Sequence, residues 1–179
     1  MTLALRRLAL FALFAALAGA RAFGQDVDRS EDFFRLFLGD LRAEAEEART
    51  SGRKGVVVMY HFEACPYCAR MRREVLSRQD VQDWYRREFV AVAIDTRGSQ
   101  PITGFDGRAL PENDYARAVS VHRTPTFDFY DVDGKPLYRH SGGIYNPAEF
   151  IRLGQFVADG AYRAQSFTDY LRTPQKKER

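Results

Sequence analysis

The chain has 179 residues, of which 45% are hydrophobic and 28% charged, a globular composition of about one domain and not that of a disordered chain. A formal charge of only +3 argues against nucleic acid as a partner, and no apolar run reaches the roughly 18 residues of a stable spanning helix. Two cysteines, Cys65 and Cys68, are too few for a multi-disulfide scaffold or a four-thiolate zinc site.

Arg6 and Arg7 precede a run of apolar or small residues from Leu8 to Ala20, and Ala20-Arg21-Ala22 has the small-x-small pattern of a cleavage site. This predicts a secretion signal over residues 1–22, with no stable membrane insertion after its removal. The alternative, a membrane anchor, would need a longer run. The segment holds three arginines and no acid, so the mature chain has no formal net charge. Export would place the protein where disulfide chemistry is expected.

Residues 23–53 read as an N-terminal helical segment. Ser30 can cap a helix with Glu31 and Asp32 in its first turn. Phe34, Phe37, Leu38, Leu41 and Ala45 follow at helical spacing, and Gly39-Asp40 divides the run into a short helix and a longer one ending near Thr50. Gly55 then opens Val56–Phe62, a β-branched and aromatic run that predicts a buried central strand. After Pro66 a helix is expected to Ser77, with Cys68, Met71 and Val75 on one face and the proline in its first turn. Asp80 is the expected cap of a short helix carrying Val81, Trp84 and Tyr85, and Phe89–Ile94 is a second buried strand.

Residues 97–111 predict a surface loop with a small hairpin around Asp106-Gly107. Tyr115, Ala118 and Val119 mark another helix. Thr126–Tyr130 and Pro136–His140 flank Asp131-Val132-Asp133-Gly134, a hairpin turn. Asn146-Pro147 starts a helix with Phe150, Leu153 and Val157 inward, and Ser166 begins a last short one. Residues 161–179 are this short helix and a tail from Pro174. Trp84, Tyr85, Phe127 and Phe129 are expected in the core.

The chemistry lies in Cys65-Pro66-Tyr67-Cys68. A cysteine between a strand and a helix sits at the helix N-terminus, where free N–H groups and the helix dipole stabilise a thiolate, the form that attacks a disulfide. Cys68, one turn on, can reach back to break the mixed disulfide. Pro66 fixes the turn and Tyr67 forms an exposed lip. Other readings carry less. Half a metal site using some of His61, His122 and His140 lacks a second CxxC or a His-x3-His pair, so no metal is expected. A purely structural disulfide would close too short a loop to stabilise much. Thr124-Pro125-Thr126, just before the third buried strand, suits either a cis proline in a tight turn or an ordinary trans proline at a strand edge.

A CxxC after a central strand, a Thr-Pro before a hairpin, then a glycine and a last helix resemble the thioredoxin superfamily, over Lys54–Gly160. Phe62-Glu63-Ala64-Cys65-Pro66-Tyr67-Cys68, Thr124-Pro125-Thr126-Phe127 and the 97–111 insertion are similar to the SoxW-like periplasmic thioredoxin-related proteins. The resemblance implies a single α/β domain over 54–160, a central mixed sheet flanked by helices. It implies Cys65 as nucleophile, Cys68 as resolving cysteine and Pro125 as a cis-proline against the disulfide. The Thr124 backbone would bind an extended substrate, and Gly143, or Gly142, would line the same groove. No cofactor beyond the redox-active Cys65–Cys68 disulfide is implied.

Two departures stand out. The family's buried aspartate position is Met59 here, so Glu63 or His61 becomes the candidate for proton transfer, Glu63 equally a solubilising surface residue. The family lysine near the second strand is absent from residues 90–94. Arg70, Arg72, Arg73 and Arg78 make the active-site helix basic, which suits a solvated face or an acidic partner. His122 can tune a nearby thiolate or simply face solvent.

Three function classes follow. The leading one is a periplasmic thiol–disulfide oxidoreductase, a reductase of client proteins with disulfides; the resemblance implies electrons supplied by a membrane thiol transporter and clients in sulfur oxidation or c-type cytochrome maturation. The second is a glutaredoxin-like, glutathione-dependent reductase. The third is a non-catalytic thioredoxin-fold binding module.

Overall fold

The computed structural model describes residues 29–173, so the expected signal over 1–22 and the tail from Pro174 lie outside the described residues. In chain order the elements are a 3-10 turn at Arg29–Phe33, α1 (Leu41–Thr50), β1 (Gly55–His61), α2 (Pro66–Met71) running into a π-helical turn at Arg72–Leu76, α3 (Gln79–Glu88) and β2 (Phe89–Asp95). There follow β3 (Pro101–Thr103), β4 (Ala109–Pro111), α4 (Glu112–Ala118), β5 (Thr126–Asp131), β6 (Pro136–Ser141), α5 (Pro147–Ala158), a 3-10 turn at Ala161–Arg163 and α6 (Phe167–Arg172).

The main sheet has the order β2-β1-β5-β6. β1 runs parallel to β2, with Val58 beside Val92, and antiparallel to β5, with Met59 opposite Phe127. β5 and β6 form the expected hairpin. This is a mixed sheet with β1 at its centre, and successive side chains of β1 leave for opposite faces. Val57 and Met59 join a core with Met71, Val75, Tyr85, Phe150 and Phe156 beneath α2, α3 and α5. Val56, Val58 and Tyr60 join a second core with Leu41, Ala45 and Ala48 of α1 and Tyr115 of α4. Because both faces are covered, β1 is an unbroken apolar run.

The helices fit because small and capping residues stand where the geometry needs them. Asn146 accepts from the Ala148 and Glu149 N–H groups at 3.0 and 3.3 Å, with Pro147 at the first helical position. Ser166 caps α6 through the Asp169 N–H at 3.1 Å. Gly154 of α5 lies so close to α3 that an added Cβ would sit 2.1 Å from the Trp84 ring. The insertion is a two-stranded hairpin, β3 with β4, turning at Gly107 with φ +81°.

Two expectations are corrected. The short helix expected from Ser30 is only a 3-10 turn that ends at Phe33 and does not continue through Leu38. After the 3-10 turn the chain runs beside the outer edge of β2, where the Arg35 N–H donates to the Ala91 carbonyl at 3.0 Å. Phe33 is anchored in the core against Tyr85 and Phe150, whereas Leu36 and Leu38 are 80% and 84% exposed. An open sheet edge offers unpaired backbone groups, and covering it overrides the helical spacing of the phenylalanines and leucines. α1 therefore starts at Leu41, capped by Asp40, whose carboxylate accepts the Arg42 N–H at 2.9 Å. The second correction is that Asp80 does not cap α3. The N-cap is Arg78, and the Asp80 carboxylate pairs instead with its guanidinium at 3.2 Å.

Candidate functional site

β1 ends at His61, and four residues later the chain enters α2 through Cys65, the N-cap residue. The Cys65 N–H donates to the Phe62 carbonyl at 3.1 Å, closing the turn. Pro66 at the first helical position needs no partner for the N–H that it lacks. Cys65 and Cys68 are joined in a disulfide, with Cα atoms 5.2 Å apart. Both are about 2% exposed, while Tyr67 between them stands 63% exposed.

Three groups address the Cys65 sulfur. The Cys68 backbone N–H donates to it at 3.1 Å and the Thr124 hydroxyl at 3.2 Å, and the Thr124 carbonyl oxygen lies 3.8 Å away. Hydrogen bonds to an ionised acceptor are roughly twice as strong as neutral ones, so two donors on one sulfur favour a thiolate there once the bond is reduced.

The Thr124–Pro125 peptide is cis. Its Pro125 carbonyl accepts the Gly142 N–H at 2.8 Å, which ties the loop after β6 to the loop before β5. Gly142 has φ +114° and open space where a side chain would go. Gly143 differs, since an added Cβ would lie 2.5 Å from the Tyr145 ring. Cys65, Cys68, Thr124, Pro125 and Gly142 are thus joined by direct contacts, with Gly143 next in line under Tyr145. Tyr145, stacked by the Arg70 guanidinium at 4.0 Å, was not singled out from the sequence. An aromatic two residues after a Gly-Gly pair was the available signal.

The two proton-transfer candidates are placed differently. Glu63 is exposed on the approach to Cys65. His61 is half-buried, and burial, then the nearby Arg72 charge, pushes its pKa below the ordinary 6.5. Among the described residues no hydrogen bond joins either side chain to a cysteine sulfur. Met59, at the family's aspartate position, is fully buried beside Phe127 in the same core as both cysteines. His122 is exposed, and His140 is half-buried against Phe167. Among the described residues no three His, Cys, Asp or Glu side chains converge in a metal-holding group, and no helix is long and apolar enough to cross a membrane.

A CxxC pair at disulfide distance beside Thr124 and cis-Pro125 supports thiol–disulfide oxidoreductase chemistry. Among solved structures, the chain is similar to a thioredoxin-fold protein from Helicobacter pylori at 19% identity, covering 80% of this chain and 92% of that one with a TM-score of 0.62. It is also similar to a thioredoxin from Thermus thermophilus at 28% identity, covering 69% and 88% with a TM-score of 0.52. A protein named DsbH oxidoreductase matches at 18% identity, covering 65% and 81% with a TM-score of 0.52. No curated protein sequence matches the chain. The family model described as a thioredoxin-like domain matches residues 41–158, well over half of the chain, and the protein belongs to that family.

Proposed function

We propose that this protein is a periplasmic thiol–disulfide oxidoreductase that reduces disulfides in client proteins through Cys65 and Cys68. The observation that carries the reading is the Cys65 sulfur, a helix N-cap atom receiving the Cys68 N–H and the Thr124 hydroxyl beside cis-Pro125. In the reduced protein the Cys65 thiolate attacks one sulfur of a client disulfide. A Cys65–client mixed disulfide forms and the other client sulfur leaves as a thiolate. Cys68 loses its proton and attacks the Cys65 sulfur, which restores the Cys65–Cys68 disulfide and releases the client as a dithiol. Two electrons and two protons have passed to the client, and a second dithiol must return them before the next cycle.

The Thr124 backbone and the open side of Gly142 suit an extended client segment laid across the disulfide as one added strand. Residues 1–22, read as an export signal, support the periplasmic location. The SoxW-like resemblance of Phe62–Cys68 and Thr124–Phe127 supports a membrane thiol transporter as the electron source. The redox-active pair itself is the only prosthetic chemistry this cycle needs.

The test is reduction of a protein disulfide by the chemically reduced protein, with Cys65→Ser and Cys68→Ser alongside. Cys65→Ser is expected to abolish turnover, and Cys68→Ser to accumulate a client mixed disulfide. Turnover retained by Cys65→Ser overturns the role of Cys65, and client binding without turnover in the parent protein leaves a binding module instead. A reduction potential near about −270 mV fits a reductase, and one near about −120 mV makes the protein a disulfide donor.

A further inference from the structure

Three exposed arginines stand on or against the segments that build the disulfide's surroundings. Phe62, whose carbonyl accepts the Cys65 N–H, lies under the Arg97 guanidinium at 3.7 Å. The loop that carries Arg97 is pinned there because the Thr96 N–H and hydroxyl donate to the His61 carbonyl at 2.7 and 3.1 Å. Arg123 is exposed and immediately precedes Thr124, the residue that touches the Cys65 sulfur. Arg70 stacks on Tyr145, whose ring covers Gly143 next to the glycine bonded to Pro125.

These charges are not equivalent. Arg70 is engaged by the Glu74 carboxylate at 2.9 Å. Arg97 and Arg123 take part in no ion pair among the described residues. Of the acids in the same region, Asp95 accepts the Arg97 backbone N–H at 2.8 Å, and Glu63 is exposed. Among the other arginines of the active-site helix and the turn after it, Arg72 is paired with Glu31, Arg78 with Asp80, and Arg73 donates to the Ala69 carbonyl at 3.5 Å. Two arginines without an ion pair therefore stand near the site, Arg123 beside the residue that touches the Cys65 sulfur and Arg97 over the ring of Phe62.

We propose that this arginine-bearing rim selects extended client segments whose cysteine is flanked by acidic residues. The proposal rests on the oxidoreductase reading and names its substrate class. Charge complementarity assigns the occupant: guanidinium groups pair with carboxylates in planar geometry. The reactive group of the neighbouring site is a disulfide, so the partner brings a sulfur, which favours a peptide over a nucleic acid. Exposed ion pairs are individually weak, so the effect is selection and steering of encounter, not tight holding.

The experiment compares two synthetic disulfide-linked peptides of one sequence, with either Glu or Lys beside each cysteine, as substrates of the chemically reduced full-length protein. The acidic peptide is expected to be reduced with a kcat/KM about fivefold higher, from two exposed pairs. The ratio is expected to fall toward one as salt shortens the Debye length from about 10 Å at 0.1 M to about 3 Å at 1 M. In Arg97→Gln/Arg123→Gln the ratio itself is expected to collapse, a readout that a general loss of activity would not move. Equal rates for the two peptides, or a ratio unchanged in the double variant, overturn the proposal. A neutral small-molecule disulfide serves as the control: failure to reduce it sinks the oxidoreductase reading and not the rim. The rim is then read by fluorescence anisotropy with the acidic peptide carrying Ser for Cys. Salt-sensitive binding supports it, and no binding, or tighter binding of a single-stranded oligonucleotide, overturns it.

Discussion

The Thr124 hydroxyl donates a hydrogen bond to the Cys65 sulfur at 3.2 Å across 59 residues of sequence. A hydrogen bond to an ionised group contributes roughly 1.5–3 kcal/mol, which at its lower end is about a factor of ten in an equilibrium. Thr124→Val keeps the shape of the side chain and removes the donor. Alkylation of the reduced protein at neutral pH is expected to slow about tenfold in Thr124→Val and to stay near the parent rate in Thr124→Ser. Equal rates in all three would show that the hydroxyl does not act on the sulfur.

Two half-buried histidines make stability depend on pH. Burial lowers the pKa of His140 and, together with the Arg72 charge, that of His61, both from the ordinary 6.5. In the window between the lowered folded values and 6.5 the unfolded chain binds protons that the folded chain does not, so stability is full above 6.5 and falls as pH drops through that window. Thermal melts across it are expected to show a falling Tm with acid, and His140→Gln to flatten that slope. A Tm that rises with acid through this window would contradict the assignment.

Gly154 sets two opposed effects against each other. Alanine in a helix interior is favoured over glycine by about 1 kcal/mol. Here the new Cβ would stand 2.1 Å from the Trp84 ring, and overpacking of that kind costs about 1–3 kcal/mol. Gly154→Ala is therefore expected to lower stability in urea denaturation despite its better helix propensity. A stabilised variant would mean that Trp84 moves aside freely.

Asp128 is 4% exposed and holds Arg139 through two contacts of 2.6 Å, while Arg139 also donates to the Val119 and Ser120 carbonyls at 2.8 and 3.1 Å. This pair fastens β5, β6 and the end of α4 together. Asp128→Asn leaves the guanidinium without its counter-charge. The expected loss is about 2–3 kcal/mol, below that for fully buried pairs because Arg139 keeps part of its side chain in water. Guanidinium denaturation would measure it, and a loss under about 0.5 kcal/mol would place the pair among ordinary surface contacts.

Much of the architecture was readable from local pattern. The apolar runs Val56–Phe62 and Phe89–Ile94 are β1 and β2 to within a residue, and Asp106-Gly107 does mark a hairpin turn. The pair Cys65–Cys68 was readable because a strand before and a proline-started helix after it leave few other uses for that spacing. The strap Phe34–Leu38 was misread because helical periodicity and an edge-covering extended segment can share the same apolar residues, and only the neighbour decides. Asp80 was misread as a cap for a similar reason, since Arg78 beside it competes for its carboxylate. The roles of Gly142 and Gly143 could not be separated in sequence, because the difference between them is the ring of Tyr145.

By itself the sequence determined the reactive pair, the two central strands, and the capping residues of α5 and α6, because each depends on groups only a few bonds or residues apart. The tertiary structure alone decided that Thr124 reaches the Cys65 sulfur, and it made cis the Thr124–Pro125 peptide that the local residues left open between cis and trans. It alone decided that Gly142 faces open space and that Arg97 lies on Phe62. These are contacts between segments far apart in the chain. They exist only once both faces of β1 are covered and the loops at its end are held at van der Waals distance, a condition set by the packing of the whole domain and not by any local pattern.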